Sequence, residues 1–343
     1  MSVRVGPYAD GAAEWDAFAR AQTGYTHFHK FGWKALIEDV FGHECLYLAA
    51  RNGSGALVGV LPLVRVKSIV FGHYLVSMPF VNYGGPLGTA EAIIALGEAA
   101  QVEARVSDAK LLELRSRTEL PLDMPVSHRK ILVTLELPAD PEALFNTFDR
   151  KLRARIRKPQ KEGVTVRFGA DQVEPFFRVF SEHMRDLGTP TLPKRLFEQI
   201  VARFPHDSWF ACAWYNGQPV AAGAGFRWGN EFEITWASAL TAFHVIAPNM
   251  LLYWEFMRRA IAEGVTVFNF GRCTPNGGTH KFKLQWGSRD ETIWWYQRTA
   301  DGVAEAGTPS PDSGRFSFGP RIWKRLPLGL ATALGPEIVR FIP

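Results

Sequence analysis

Apolar positions in this chain follow the three-to-four-residue spacing of helices in some segments and form the dense short runs of buried strands in others. The first half begins with two helices and continues with a hairpin, a third strand, a helix and a fourth strand. These predicted elements are residues 11–20, 32–41, 45–51, 56–67, 74–79, 90–105 and 111–115. Asn52 and Gly53 supply the turn of the hairpin.

The second half repeats this order of elements. Its predicted hairpin, third strand, helix and final strand are residues 209–215, 220–228, 231–238, 248–263 and 265–270. Both hairpins turn at an Asn-Gly pair, and both final strands lead to an arginine, Arg115 or Arg272. We therefore predict an α/β fold with mixed sheets, duplicated as a unit of about 130 residues. The predicted domains are residues 1–140 and 141–300, followed by a tail at 301–343.

Composition is typical of a folded globular protein, because 47% of the 343 residues are apolar and 21% are charged. The length suits two domains or one large one. The 25 Phe and 11 Trp residues predict large buried clusters or aromatic-lined clefts. A net charge of +5 suits an anionic ligand or a membrane surface and is weak evidence for nucleic-acid binding.

Cysteine and histidine spacing predicts neither a disulfide framework nor a metal site. The three cysteines, Cys45, Cys212 and Cys273, lie far apart and form no CxxC pair, which suits a reducing compartment. His27, His29 and His43 could suggest a metal, but no cysteine or carboxylate completes a recognisable ligand spacing around them.

The N-terminus lacks a basic segment followed by an apolar core, so we predict no secretory signal. No stretch approaches the roughly 20 apolar residues of a spanning helix. We therefore expect a soluble, cytoplasmic protein, with peripheral attachment to the inner membrane as an alternative. The tail at 315–343 carries a basic-apolar segment around Trp323, Lys324 and Arg325, which either lies on an anionic membrane or packs on the body.

Positive charge is concentrated between the two halves, where residues 150–161 predict a short helix that ends near Pro159. Its cations cannot all be paired locally, and arginine forks suit phosphate oxygens. The alternative is a solvated basic face. The candidate phosphate-binding residues are Arg153, Arg155, Arg157 and Lys158.

The stretch at 265–287 combines a buried strand with cations. The strand is followed by Arg272, a loop containing Pro275, and a basic-aromatic run that includes Lys281 and Lys283. A cation placed after such a strand could stabilise the oxyanion of an acyl transfer. The alternative is a hairpin whose lysines are solvated.

The absence of several common motifs narrows the range of candidate reactions. The sequence has no GxxxxGK[ST] loop, no GxSxG elbow and no HExxH pair. The turn at 80–86, which contains Tyr83, either lines a pocket or caps a sheet. A coenzyme A pyrophosphate would normally need a glycine-rich turn before the helix at Pro248, and residues 245–249 contain no glycine. Free N–H groups at that helix start can still meet an anion.

The sequence resembles FemAB-type transferases over nearly its whole length, and most of all the branch associated with exosortase/PEP-CTERM exopolysaccharide systems. The most specific part of the resemblance is the run at 270–287. The other matching segments are 41–43, 61–63, 77–80, 83–85, 236–238, 249–254 and 323–342.

The resemblance implies two tandem GNAT-like acyltransferase domains. It further implies transfer of an acyl or aminoacyl group to a peptidoglycan- or exopolysaccharide-related envelope precursor that is nucleotide- or lipid-linked. The donor would be acyl-CoA or aminoacyl-tRNA, with no other bound cofactor. Lys283 matches the family's motif lysine and would polarise the donor carbonyl. The long helical arm of some Fem proteins, which is thought to contact tRNA, has no counterpart in this chain.

The expected active site therefore contains Lys283 and a carboxylate base, Glu233, with Glu255 as a second candidate base. The residues expected to bind substrate are Tyr83, Trp236, Asn249, Tyr253, Arg272 and Lys281. The alternative to an enzyme is a catalytically degenerate relative that acts as a scaffold for polysaccharide assembly at the membrane.

Overall fold

The computed structural model describes residues 3–68, 72–299 and 318–342. These residues form two compact units. The first unit contains the described residues of 1–130, 292–313 and 337–343, and the second contains those of 131–291 and 314–336. Part of the predicted tail, residues 301–317, lies outside the described residues.

The elements alternate between strands and helices along the chain. The strands are β1 (Arg4–Pro7), β2 (Glu44–Arg51), β3 (Leu57–Ser68), β4 (Gly72–Ser77), β5 (Leu87–Gly88), β6 (Leu111–Ser116), β7 (Val126–Ser127), β8 (Ile131–Glu136), β9 (Thr165–Phe168), β10 (Ser208–Tyr215), β11 (Gln218–Trp228), β12 (Glu231–Ala239), β13 (Val267–Cys273), β14 (Arg289–Thr292) and β15 (Trp294–Thr299). The α-helices are α1 (Ala12–Arg20), α2 (Gly32–Phe41), α3 (Ala90–Val106), α4 (Pro141–Thr147), α5 (Arg150–Lys161), α6 (Val173–Leu187), α7 (Lys194–Arg203), α8 (Pro248–Ala262), α9 (Gly278–Leu284), α10 (Phe318–Trp323) and α11 (Leu328–Val339). Short 3₁₀ helices lie at His27–His29, Ala170–Gln172 and Thr241–Ile246.

The sheet of the first unit has the strand order β1-β2-β3-β4-β6-β15-β7, and β5 pairs with β3. Only β4 and β6 run parallel in this sheet, among the strand pairs that the structure describes. The predicted hairpin turn is closed by the Asn52 side chain, whose Oδ1 accepts hydrogen bonds from the N–H groups of Ser54 and Ala56. Helix α3 packs on β3 at Gly59, where a Cβ would lie 2.7 Å from the Cβ of Ala92.

The sheet of the second unit has the strand order β14-β8-β13-β12-β11-β10-β9, and β12 and β13 run parallel in it. Helix α8 packs across β10 and β11. The Phe256 ring of α8 stacks on the Phe232 ring with centroids 5.4 Å apart. The Trp209 ring also stacks on Phe232, with centroids 4.3 Å apart. These aromatic contacts lie in a buried core that also includes Trp254 and Trp286.

The two units share the predicted order of a strand hairpin, a third strand, a helix and a parallel strand, so the mixed α/β fold class is confirmed. Two strands depart from the predicted domain division. Strand β8, assigned from sequence to the first domain, pairs with β13 in the sheet of the second unit. Strand β15, assigned from sequence to the second domain, pairs with β6 in the first sheet, because the chain returns there after β14. A division based on sequence order alone has no means of detecting such a return.

Two local predictions also differ from the structure. Helix α5 continues two residues past Pro159, because the proline lacks only its own N–H and the following turn still bonds, as the Glu162 N–H does to the Lys158 main-chain oxygen. The basic-aromatic run is a helix, α9, rather than a hairpin. Within the described ranges, no helix has both the length and the apolar character that a membrane span requires.

Candidate active site

The parallel strands of the second unit pair over only three residues. Glu231 to Glu233 of β12 pair with Val267 to Asn269 of β13, and the ladder then stops although both strands continue. The register of β12 against β11 also shifts at this point, which leaves Thr235 as an extra residue. A bulge increases local twist and turns a strand away from its neighbour. The sheet therefore opens between the ends of β12 and β13.

A pocket of about 310 Å³ lies at the end of β12. It is formed by the last residues of β12, the 3₁₀ helix that follows, and the first turns of α8 and α9, with one residue from α6. Its lining residues are His183, Ala237, Ser238, Ala239, His244, Asn249, Leu252, Tyr253, Gly278, Thr279 and Phe282. The predicted substrate residues Asn249 and Tyr253 are thus brought together here.

Lys283 is buried on α9, with 3% of its surface exposed. Its Nζ donates hydrogen bonds to the main-chain oxygens of Gly271, at 2.7 Å, and Arg272, at 2.9 Å. Both carbonyls lie where β13 becomes irregular, and Gly271 has a φ of +70°. Burial lowers the pKa of Lys283 to about 8, although the nearby charges of Cys273 and Glu233 act in the opposite direction.

The solvated-hairpin alternative is therefore wrong for Lys283, because this side chain is buried in a helix. Lys281, on the same helix, is exposed to solvent. Lys283 does not line the 310 Å³ pocket, but Thr279, one helical turn before it, does. The buried ammonium thus lies on the helix that forms one wall of the pocket.

Glu233 belongs to a buried polar network at the point where the strands separate. The Asn269 side chain donates to Glu231 at 2.7 Å and to Glu233 at 3.2 Å, and Thr235 donates to Glu233 at 3.1 Å. Asn269 also accepts a hydrogen bond from the N–H of Gly271 at 2.7 Å. This network fixes the start of the opening and places a carboxylate where it favours the charged form of Lys283.

Two histidines in the pocket wall were missed by sequence reasoning. His183 comes from α6 and His244 from the 3₁₀ helix before α8. Burial lowers the pKa of His183, the charge of His244 adds to this effect, and Asp186 and the Ala239 main chain oppose it. His183 is therefore neutral at physiological pH and able to accept a proton. No motif marks it in the sequence, because only the tertiary fold brings α6 to the pocket.

The start of α8 reaches the pocket at Asn249, whereas the N–H of Met250 already donates to the main-chain oxygen of Ala247. Pro248 is the first helical residue, and no side chain caps this helix start. Ala247 before it adopts the left-handed conformation, with φ 53° and ψ 50°, although it is not a glycine. Lys158 lies beside this turn, where its Nζ donates to the main-chain oxygen of Val245 at 2.5 Å. The turn thus takes a glycine-like conformation without a glycine.

The predicted phosphate residues lie on α5, whose apolar side is buried at Leu152 and Ile156. A groove of about 630 Å³ runs along the helix. The groove is lined by Arg150, Arg153, Ala154, Arg157, Lys158, Lys161 and Glu162. Arg155 is not among these lining residues, and it donates to the Gln285 side chain at 2.5 Å.

Three other predicted substrate residues occupy different surroundings. Trp236 is half-buried next to pocket residue Ala237, and its ring meets Phe197 edge-on at 5.3 Å. Arg272 is half-buried and contributes its main-chain oxygen to Lys283. Tyr83 belongs to the first unit, where it is fully buried.

The corresponding opening in the first unit is filled by its own loop. Strands β4 and β6 stop pairing after Val76 and Glu113, and Arg115 follows on β6. The Arg115 guanidinium bonds to Glu113 at 2.6 Å and to the main-chain oxygen of Val81 at 2.9 Å. The N–H groups of Gly84 and Gly85 donate to the main-chain oxygen of Arg115. The turn at 80–86 therefore covers the sheet end.

Helix α3, which follows this turn, is capped at its N-terminus. The side chain of Thr89 accepts a hydrogen bond from the N–H of Ala92 in the first turn of α3. Helix α8 of the second unit has no such cap. The two units thus share an order of elements but differ at the position where the second unit forms its pocket.

Comparison with known proteins agrees with this arrangement. Residues 146–284 match the family model described as Acetyltransferase (GNAT) domain, a segment that contains α5, the pocket and Lys283. No protein of curated function matches the sequence significantly. The chain is also similar to many solved structures.

Three of these solved structures illustrate the likeness. FemX has 15% sequence identity and a TM-score of 0.64, with 86% of this chain and 97% of FemX covered. The C-terminal domain of a putative lysylphosphatidylglycerol synthetase from Agrobacterium fabrum has 12% identity and a TM-score of 0.54, with 85% and 93% covered. A tandem GNAT protein from the clavulanic acid biosynthesis pathway has 12% identity and a TM-score of 0.50, with 87% and 99% covered. These comparisons show two GNAT-like folds in tandem, with a match to an acetyltransferase domain in the second.

Proposed function

We propose that the second unit transfers an acyl or aminoacyl group to an amine of a cell-envelope precursor. The observation that supports this most is the pocket at the opened end of β12, which combines an uncapped helix start with a helix carrying a buried ammonium. Acyl transfer needs both a place for an anionic donor and a positive charge near the reacting carbonyl.

In the proposed reaction the amine nitrogen attacks the carbonyl carbon of the donor. The carbonyl oxygen becomes an oxyanion, which then collapses and expels the thiol of coenzyme A or the ribose hydroxyl of tRNA. The proton lost by the amine passes to a base, and the leaving group takes up a proton. Each of these steps requires a positioned side chain or main-chain group.

Lys283 stabilises the oxyanion in this proposal. An ammonium has three N–H donors, and two of them bond to the main-chain oxygens of Gly271 and Arg272. We assign the third donor to the substrate oxygen. Glu233 has a positioning role, since its charge favours the protonated form of Lys283 and its network fixes the strand opening.

His183 is the proposed base, in place of Glu233. It lines the pocket, whereas the Glu233 carboxylate already accepts hydrogen bonds from Asn269 and Thr235. Its lowered pKa keeps the imidazole neutral at pH 7, the form that accepts a proton.

The residues around α8 suit an acyl-CoA donor. The main-chain N–H of Asn249 at the helix start and the neighbouring Lys158 would hold its pyrophosphate. Arg153 and Arg157, which line the groove on α5, would meet further phosphates. Aminoacyl-tRNA is the alternative donor, favoured by the resemblance to FemAB-type transferases. The acceptor class, related to peptidoglycan or exopolysaccharide, rests on the same resemblance and on the likeness to FemX.

The experiment is an intact-mass assay of candidate acceptors incubated with the protein and either acyl-CoA or aminoacyl-tRNA. Transfer from one donor identifies the donor class, and Lys283→Met should reduce its rate by about 100-fold. Lys281→Met is the matched control, because Lys281 is exposed on the same helix. Equal rates for the two variants would remove Lys283 from the mechanism.

A second candidate is a scaffold that has lost catalysis. It is favoured by the absence of a glycine-rich turn at 245–249 and by the two main-chain bonds that engage Lys283. A scaffold would bind an envelope precursor without transferring a group from either donor. Binding with no transfer in the same assay would select this alternative.

A further inference from the structure

The helices α10 and α11 pack on the second unit at the end of α6. Gly188, which follows α6, approaches α10 so closely that a Cβ would lie 2.7 Å from the main-chain oxygen of Pro320. Gly335 of α11 approaches Thr191 in the same way, at 2.8 Å from its main-chain nitrogen. The two helices are therefore held against the loop after α6, with one side of α11 buried at Ala331 and Gly335.

Large apolar side chains of these two helices are exposed to solvent. Ile322, Leu330 and Leu334 expose 63%, 52% and 49% of their surfaces. Leu187, the last residue of α6 and the neighbour of Gly188, is 53% exposed. These four residues form what we call the apolar face. Burying large apolar side chains in a less polar medium is favourable, so such a face suits a partner that covers it.

The charges beside the apolar face are mainly positive, because the nearby carboxylates of Asp186 and Glu337 are each paired with an arginine. Arg321, Lys324 and Arg325 are exposed between and within the two helices. The sequence from 318 to 336 contains no acidic residue. Exposed apolar side chains flanked by cations match the surface of an anionic bilayer, where the cations meet headgroups and the apolar side chains enter the interface. We propose that the apolar face and these three cations dock the protein on anionic lipid.

This docking surface is close to the pocket. His183 lines the pocket and Leu187 belongs to the apolar face, and the two are one turn apart on α6. Docking would thus hold the pocket near the headgroups, which suits an acceptor carried by a lipid. That consequence rests on the proposed transferase function, whereas docking itself does not.

Vesicle flotation tests the docking surface without any substrate. The full chain should float with vesicles of phosphatidylcholine and phosphatidylglycerol and stay behind with phosphatidylcholine alone. Lys324→Gln with Arg325→Gln should weaken binding about 25-fold, since each cation contributes about fivefold near an anionic surface. Leu330→Ser with Leu334→Ser should weaken it at least about tenfold for each residue.

Matched variants separate this surface from non-specific attraction. Arg105→Gln with Lys110→Gln neutralises two exposed cations of the first unit, and Val102→Ser with Val106→Ser changes two exposed apolar residues on α3. Neither pair should change binding more than about twofold. If the double leucine variant does not fold, Ile322→Ser replaces it as the test of the apolar face.

Three results would overturn the proposal. The first is no flotation of the unaltered protein with anionic vesicles, and the second is an equal loss with the control pair at Arg105 and Lys110. The third is a change of sedimentation from dimer to monomer in the leucine variant with unchanged flotation, which would make the face a contact between copies of this chain. A transfer assay with a water-soluble acceptor tests the transferase function separately.

Discussion

Lys283 combines a charge with burial, and its titration gives the first prediction. Its pKa of about 8 lies below the ordinary value of 10.5 because burial disfavours the ammonium. If the ammonium stabilises the oxyanion, kcat/KM should fall as pH rises through about 8. In Lys283→Met this fall should be absent and the remaining rate about 100-fold lower. A pH profile of kcat/KM measures both effects, and a fall near pH 8 that persists in the variant would contradict the assignment.

His183 should control the acidic side of the same profile. Burial and His244 lower its pKa below the ordinary value of 6.5, and the neutral imidazole is the active form. The rate should therefore rise with pH below 6.5 and level off above it. In His183→Gln the rate should be lower and this rise absent. His206, exposed outside the pocket, provides the control substitution His206→Gln. An unchanged acidic limb in His183→Gln would assign the base to another group.

At the scale of elements, the backbone of the turn before α8 is strained. A substitution that relieves this strain should raise the free energy of unfolding. Ala247 has a φ of 53°, where a Cβ is unfavourable, whereas glycine adopts this conformation freely. Ala247→Gly should therefore stabilise the folded protein by about 1 kcal/mol. Ala242→Gly, in the neighbouring 3₁₀ helix, should instead destabilise it by roughly 0.5–1 kcal/mol. Urea unfolding of both variants measures the difference, and destabilisation by Ala247→Gly would show that the turn is unstrained.

Sequence patterns predicted the elements well where periodicity is strong and packing is local. The predicted helix at 248–263 and the observed α8, Pro248–Ala262, agree to within one residue. The helix α9 was missed because its Gly-Gly start and its short length resemble a loop. Lys283 was singled out by resemblance, but its burial depends on the irregular end of β13, which no local pattern encodes. His183 was missed because the contact between α6 and the pocket is entirely tertiary.

At the scale of the molecule, the first unit depends on a buried ion pair. Glu113 and Arg115 are both almost fully buried, and the Gln297 side chain also donates to Glu113. Arg115→Met would leave Glu113 buried without its cation, so we expect a loss of about 3–5 kcal/mol in unfolding free energy. Arg289→Met removes an exposed pair with Glu136 and should cost less than about 1 kcal/mol. Similar losses in the two variants, measured by urea unfolding, would contradict this ranking.

The last prediction concerns which of the two units binds the donor. The opening in the first unit is filled by the loop that Arg115 holds, and the start of α3 is capped by Thr89. The second unit has a pocket at the same place in its order of elements. If acyl-CoA is the donor, coenzyme A should slow amide hydrogen exchange in segments 237–250 and 278–284. It should leave segment 76–90 unchanged, because that segment is already engaged by its own unit. Protection of 76–90 without protection of 237–250 would assign donor binding to the first unit.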